Sequence, residues 1–192
     1  MPLPVENQHY TYADYLEWDT NERYELINGE AVMMAGPTFT HQEILGEIYT
    51  QLKIFLRDKP CKAVVAPFDV RLFAKEDDKP ANIDTVVQPD IFVVCDLKKI
   101  DEHGIKGAPD LAIEILSPST HRHDCLVKLN LYMQAGVREY WIVDPEEKTV
   151  QVFLLDDEGV YRVLKAYEKT DNIKVNILNG CFIDLSMVFP EN

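Results

Sequence analysis

Two near-continuous apolar stretches, DLAIEIL at 110–116 and EYWIV at 139–143, flank one helical segment from about His121 to Ala135. This arrangement restricts the fold more than any other feature of the chain. A strand with one wet face alternates apolar and polar side chains; these stretches barely do, so both of their faces are covered. Strand, helix, strand without a polar face is the pattern of two parallel neighbours joined by a crossover, in a sheet with helices on both sides. Gly136 marks the end of the crossover helix.

The remaining segments fit around that unit. Thr11 to Trp18 is predicted to be a short helix, with Thr11 and Asp14 at capping-box spacing. RYELINGEAVMMA is predicted to be a hairpin turning at Asn28-Gly29, which supplies two positive φ values. A two-residue turn opposes Ile27 to Glu30 and Glu25 to Val32, so all four project from one side. Thr40 and Glu43 have the spacing of a second capping box, opening a helix whose Ile44, Leu45, Ile48, Leu52 and Phe55 share a face and which ends near Asp58.

KAVVAP, FDVRLFA and QPDIFVVCD then read as three strands, with KEDDKPANID as an exposed hairpin loop between the second and third. TVQVFLLDDEGVYRVLKAYE is predicted to be a hairpin that extends the sheet edge, and NILNGCFIDLSMVF a short apolar strand or turn. The sum is an α/β protein: a mixed central sheet flanked by helices in three layers, an N-terminal helix and hairpin, and a C-terminal β-hairpin extension. No linker or repeat interrupts residues 1–192, which read as one domain.

Charge bears on what such a protein binds. Acidic residues number 33 against 19 basic, a formal charge of −14, which opposes nonspecific affinity for a polyanion such as DNA. Binding to bulk DNA is expected to be weak and salt-sensitive, although a bound divalent cation inverts the local sign. No apolar run approaches the roughly 18 residues of a membrane span, and the first ten residues show no secretory pattern. No membrane association is expected. Cys61, Cys95, Cys125 and Cys181 lack zinc-ligand spacing and read as reduced thiols, mostly in the core, of a cytoplasmic protein.

Three polar residues interrupt segments that ought to be buried: Asp90 in VQPDIFVV, Glu114 in DLAIEILS, and Lys128 in the crossover helix. A carboxylate inside a covered strand is expensive unless paired or metal-bound. Two carboxylates on core strands offer hard oxygen ligands suited to Mg²⁺. Each residue also admits a structural role: Asp90 capping a turn after Pro89, Glu114 in an ion pair, Lys128 paired with Asp124 one helical turn away.

The QPD stretch, PDLAIEILSPST, then Asp124, Lys128, Tyr132 and AGVREYWIVD at 135–144 resemble the Uma-two family of endonucleases, and YELINGE is similar to that family's opening motif. The resemblance runs from Tyr10 to Asp144 and more loosely beyond. It implies a restriction-endonuclease-like core of the PD-(D/E)XK superfamily, whose motif falls on Pro89-Asp90 and Glu114-Ile115-Leu116. Leu116 stands where that motif has its lysine, and the resemblance transfers the role to Lys128 on the following helix.

The same resemblance implies a metal-dependent endonuclease acting on DNA as a homodimer. It implies Mg²⁺, with Mn²⁺ as a substitute, held by Asp90, Glu114 and the Ile115 carbonyl. Lys128 acts beside the metal. Glu25 is implied as an additional ligand or base, its alternative being an exposed charge paired with Arg23. His41 is implied at the phosphate or the attacking water, its alternative being an idle first-turn histidine. The candidate dimer contacts are the C-terminal strands and the YWIVD strand. His121 and His123, two residues apart, do not share a helix face and make no metal pair. Two other functions fit the same residues: a catalytically silent binding module, and a phosphodiesterase for RNA or small nucleotides.

Overall fold

A computed structural model describes residues 8–117 and 122–189; the side chains of 122–125 fall outside the description. In chain order the elements are α1 (Tyr12–Tyr15), β1 (Tyr24–Ile27), β2 (Glu30–Met33), α2 (Phe39–Phe55), β3 (Lys62–Val65), β4 (Asp69–Arg71), β5 (Ile91–Val94), β6 (Ile100–Asp101), β7 (Gly104–Lys106) and β8 (Leu111–Ile115). They continue with α3 (Arg122–Ala135), β9 (Glu139–Asp144), β10 (Thr149–Leu155), β11 (Tyr161–Glu168), β12 (Asn172–Lys174), β13 (Phe182–Asp184) and α4 (Leu185–Val188).

The principal sheet has six strands in the order β11-β10-β9-β8-β5-β3. β8 and β9 are parallel and joined through α3, as the two apolar stretches require, while the other pairs in this sheet are antiparallel. Alternation along each strand divides the core. Ile91, Val93, Leu111, Ile113 and Trp141 pack under Ile44, Ile48 and Leu52 of α2. Phe92, Val94, Ala112 and Tyr140 pack on the opposite face with Leu131 and Tyr132 of α3. Three layers result, with one helix on each face of the sheet.

The N-terminal hairpin has the expected register, Ile27 opposite Glu30 and Glu25 opposite Val32, with Asn28 and Gly29 at φ 51° and 83°. Leu26 points to the other side and exchanges two 2.8 Å backbone bonds with Val86. α1 is shorter than the expected helix, but the Asp14 carboxylate accepts bonds from both the N–H and hydroxyl of Thr11, each at 2.7 Å.

Four expectations need correction. Thr38, not Thr40, caps α2: its hydroxyl accepts the His41 N–H at 3.2 Å, and the helix ends at Phe55 rather than near Asp58. β4 does not join the principal sheet; KEDDKPANID does lie in a loop between antiparallel segments, but they are held by a single bridge in which Val70 and Val87 exchange backbone bonds at 2.8 and 3.0 Å. β4 pairs in parallel with β7 in a separate sheet ordered β4-β7-β6, where buried Arg71 bonds the Ile105 carbonyl and Asp101. The local pattern marks a strand but not its partner.

The cysteine reading is corrected as well: Cys61 and Cys95 form a disulfide. They flank the opposed pair Lys62 and Val94 on β3 and β5, a proximity hidden by a sequence separation of 34. Cys181 is a buried free thiol, pushed up to about 11 by burial. The Cys125 side chain lies outside the described residues. Finally, the YWIVD strand is interior, with β8 on one side and β10 on the other, so it has no free edge for a partner. Among the described residues no helix is long and apolar enough to cross a membrane.

Candidate active site

Glu114 lies within β8, where alternation turns it away from α2 and toward α3. Helical spacing places Lys128 and Tyr132, four residues apart, on the facing side of α3. Both reach the same oxygen: Lys128 Nζ lies 3.0 Å from Glu114 Oε1, and the Tyr132 hydroxyl donates to it at 2.6 Å. The β1–β2 hairpin delivers a second carboxylate, with Glu25 Oε1 2.9 Å from Lys128 Nζ. The same Glu25 oxygen accepts the Gln88 N–H at 2.8 Å. Glu25 is only 3% exposed and Glu114 8%.

Asp90 immediately precedes β5. Its Oδ2 accepts the Ile115 N–H at 2.8 Å, which ties it to the end of β8. His41, in the first turn of α2, brings Nε2 to 3.2 Å from that oxygen. The sheet end is therefore where side chains from both helix layers meet.

All five candidate side chains thus come together: Asp90, Glu114, Lys128, Glu25 and His41. Glu25 is not paired with Arg23, whose guanidinium bonds Gln88 instead. His41 is not idle, because it bonds Asp90. Lys128 bridges two carboxylates; the Asp124 side chain, its proposed alternative partner, lies outside the described residues, as do those of His121 and His123. Tyr132 and Gln88 were not assigned roles from the sequence. The i, i+4 spacing of Lys128 and Tyr132 was the available signal for one, and the place of Gln88 two residues before Asp90 in the QPD stretch for the other.

Burial pushes the Glu114 carboxyl up to about 7; Lys128 opposes the rise, Asp90 and Glu25 add to it, and the Tyr132 bond opposes it. Lys128 loses some preference for charge through burial, but Glu114 and Glu25 more than restore it, so the ammonium is held firmly protonated. Tyr132 is likewise pushed well up, chiefly by burial, and remains a neutral donor. For His41 burial favours the neutral ring, yet Asp90 prevails and the pKa rises. Its buried Nδ1 has no hydrogen-bond partner among the described residues.

This donor set fits a hard divalent cation. The bonds described engage Oδ2 of Asp90 and Oε1 of Glu25 and Glu114, leaving the second oxygen of each carboxylate without a bond among the described residues. Glu25 and Glu114 share one protonated lysine, while Asp90 faces the His41 ring. No cluster of three or more His, Cys, Asp or Glu among the described residues forms a ready-made cage. A two-carboxylate site completed by water and substrate oxygens is the usual arrangement for Mg²⁺.

A mixed sheet between helix layers, with acidic groups converging at the ends of adjacent strands, defines a restriction-endonuclease-like protein. The model of the Uma2 family, described as "Putative restriction endonuclease", matches residues 12–186, and the chain belongs to that family. A protein from Anabaena variabilis ATCC 29413, described as "a putative nuclease belonging to DUF820", shares the fold: TM-score 0.72 at 21% identity, covering 93% of this chain and 97% of that one. Two uncharacterized proteins of Synechocystis sp. are also similar. One is 23% identical over 172 residues (88% of this chain, 86% of the relative), the other 26% over 139 residues (70% and 74%).

Proposed function

We propose that the protein is a metal-dependent nuclease that hydrolyses phosphodiester bonds in DNA. The observation that carries this reading is the convergence at one sheet end of Asp90 with Glu114 and Glu25, the last two held by Lys128, each carboxylate keeping one oxygen without a bond among the described residues. Asp90, Glu114 and the Ile115 carbonyl would hold Mg²⁺ or Mn²⁺. Bound there, the cation supplies Lewis-acid charge for the scissile phosphate and makes a water more acidic.

The protein's own groups take defined parts. Lys128 has three N–H donors and commits two to carboxylates, leaving one for the phosphate or attacking water. Because its ammonium is held protonated, it serves as a donor and positive charge, not as a base. Tyr132 and Gln88 act as positioning residues, fixing one oxygen each of Glu114 and Glu25. His41 orients Asp90. These fixed groups stabilise developing negative charge without reorganising during the reaction.

Cleavage of both strands of a duplex calls for two such sites, and the reading includes a homodimer. β11 ends the principal sheet and exposes Val163 and Leu164, which makes it the contact strand of choice. The test is nicking of supercoiled plasmid in Mg²⁺ or Mn²⁺ by the native protein and by folded Asp90→Ala and Glu114→Ala variants. Cation-dependent nicking absent from both variants is expected. Equal activity in either variant rejects the assignment.

A further inference from the structure

Arg23 stands out among the cations near the carboxylates because no acid among the described residues is its partner. It immediately precedes β1, and its carbonyl accepts the Met34 N–H at 2.8 Å, extending the hairpin ladder by one step. Strand alternation therefore places Arg23 on the same side as Glu25. Among the described residues the Arg23 guanidinium bonds only the neutral side-chain oxygen of Gln88, from Nε at 3.1 Å and Nη2 at 2.7 Å.

Gln88 is held so that it can do little else. Its Nε2 donates to Asp69 Oδ1 at 2.9 Å and to the Tyr15 hydroxyl oxygen at 3.1 Å. Asp69 is itself fixed by the Tyr12 hydroxyl at 2.8 Å. A carboxamide whose nitrogen faces a carboxylate cannot flip without setting two acceptors together, so its oxygen stays aimed at Arg23. The Gln88 N–H meanwhile bonds Glu25, linking this clamp directly to the carboxylate centre.

Among the described residues two of the five guanidinium N–H donors are thus used and three are left, on a half-buried side chain with no carboxylate paired to it. Lys128 differs, since its charge is compensated by Glu25 and Glu114. A fixed, uncompensated guanidinium beside an acidic centre is suited to bidentate binding of a phosphate.

We propose that Arg23, oriented by Gln88, forms an anion subsite next to the carboxylate centre and takes a phosphate of the nucleic-acid strand adjoining the one to be cleaved. The proposal rests on the nuclease reading and adds a substrate contact to it. It also gives an acidic protein a local means of holding a polyanion.

The test measures binding of a short fluorescent oligonucleotide in Ca²⁺, across a range of salt concentrations, for the native protein, Arg23→Gln and Arg23→Lys. One lost phosphate contact reduces the slope of log K against log salt by about 0.7 to 0.9. Arg23→Gln is expected to show that reduction with about fivefold weaker binding at moderate salt. Its melting temperature and Ca²⁺ affinity should be unchanged, and Arg23→Lys should restore the slope. An unchanged slope in Arg23→Gln, with native binding intact, overturns the subsite and leaves the nuclease reading standing. A native protein that neither binds nor cleaves the oligonucleotide overturns both.

Discussion

Replacing Lys128 by methionine removes the only positive charge that touches both Glu25 and Glu114 among the described residues. Each contact is close to 3 Å, which at an effective dielectric near 20 corresponds to about 5 kcal/mol of attraction before desolvation is subtracted. Breaking a buried pair from one side leaves uncompensated charge and costs about 3–5 kcal/mol. In a chain of this length that lowers the melting temperature by about 10 °C. The loss should depend on pH in a definite direction. A carboxyl whose folded pKa is raised contributes stability below its unfolded pKa and loses it as pH rises through the folded value. Without Lys128 the Glu114 carboxyl rises beyond its native value of about 7, so the variant suffers most at pH 8 and least near pH 5. Urea unfolding at both pH values, with EDTA present, measures the difference. Adding Glu25→Gln should recover part of the loss at pH 8. A deficit below about 1 kcal/mol at pH 8, or one equal at both pH values, refutes the argument that Lys128 stabilises two buried carboxylates.

Cation binding should tighten between pH 6 and pH 8 with release of a proton, because Glu114 must ionise to become a ligand; calorimetry in buffers of different ionisation enthalpy detects this, and Glu114→Gln should abolish the proton release. Glu139→Ala should cost about 3 kcal/mol in chemical denaturation, since this buried carboxylate accepts bonds from Trp141 Nε1, the Ile177 N–H and Asn176 Nδ2. On the proposed homodimer reading, the native protein should be a dimer in light scattering and Val163→Lys on the exposed edge strand a monomer of unchanged melting temperature; a variant dimer of unchanged affinity places the contact elsewhere, and a monomeric native protein overturns the dimer.

The parts legible in the sequence were those governed by local periodicity or by an interruption of it. The parallel β8–α3–β9 unit follows from apolar runs too long for a half-wet strand, and Glu114 declares itself by breaking one. The hairpin register follows from Asn28-Gly29, which also placed Glu25 on a defined face, though not what that face would meet. The rest depended on contacts distant in sequence. Glu25 and Gln88 are 63 residues apart, and although Gln88 opens the QPD stretch, the sequence does not say which groups its amide meets. Arg23 entered the sequence reading only as an alternative partner for Glu25, whereas the fold offers it a distant amide. β4 carries the composition of a principal-sheet strand, but its register with β7 places it in a different sheet. Cys61 and Cys95 lacked any spacing that would identify them as cross-strand neighbours.

The contact between Lys128 and Glu25 spans 103 residues, with Asp90 and Glu114 supplied from between them. A centre assembled from such remote segments bears the full entropy of closing a long loop before its interactions are gained. In refolding, the cation response should therefore arise with the slowest structural phase, after the α3 crossover and the C-terminal hairpin have formed. No fragment lacking either the first hairpin or α3 can carry the complete proposed centre, so a fragment without either should show no cation response.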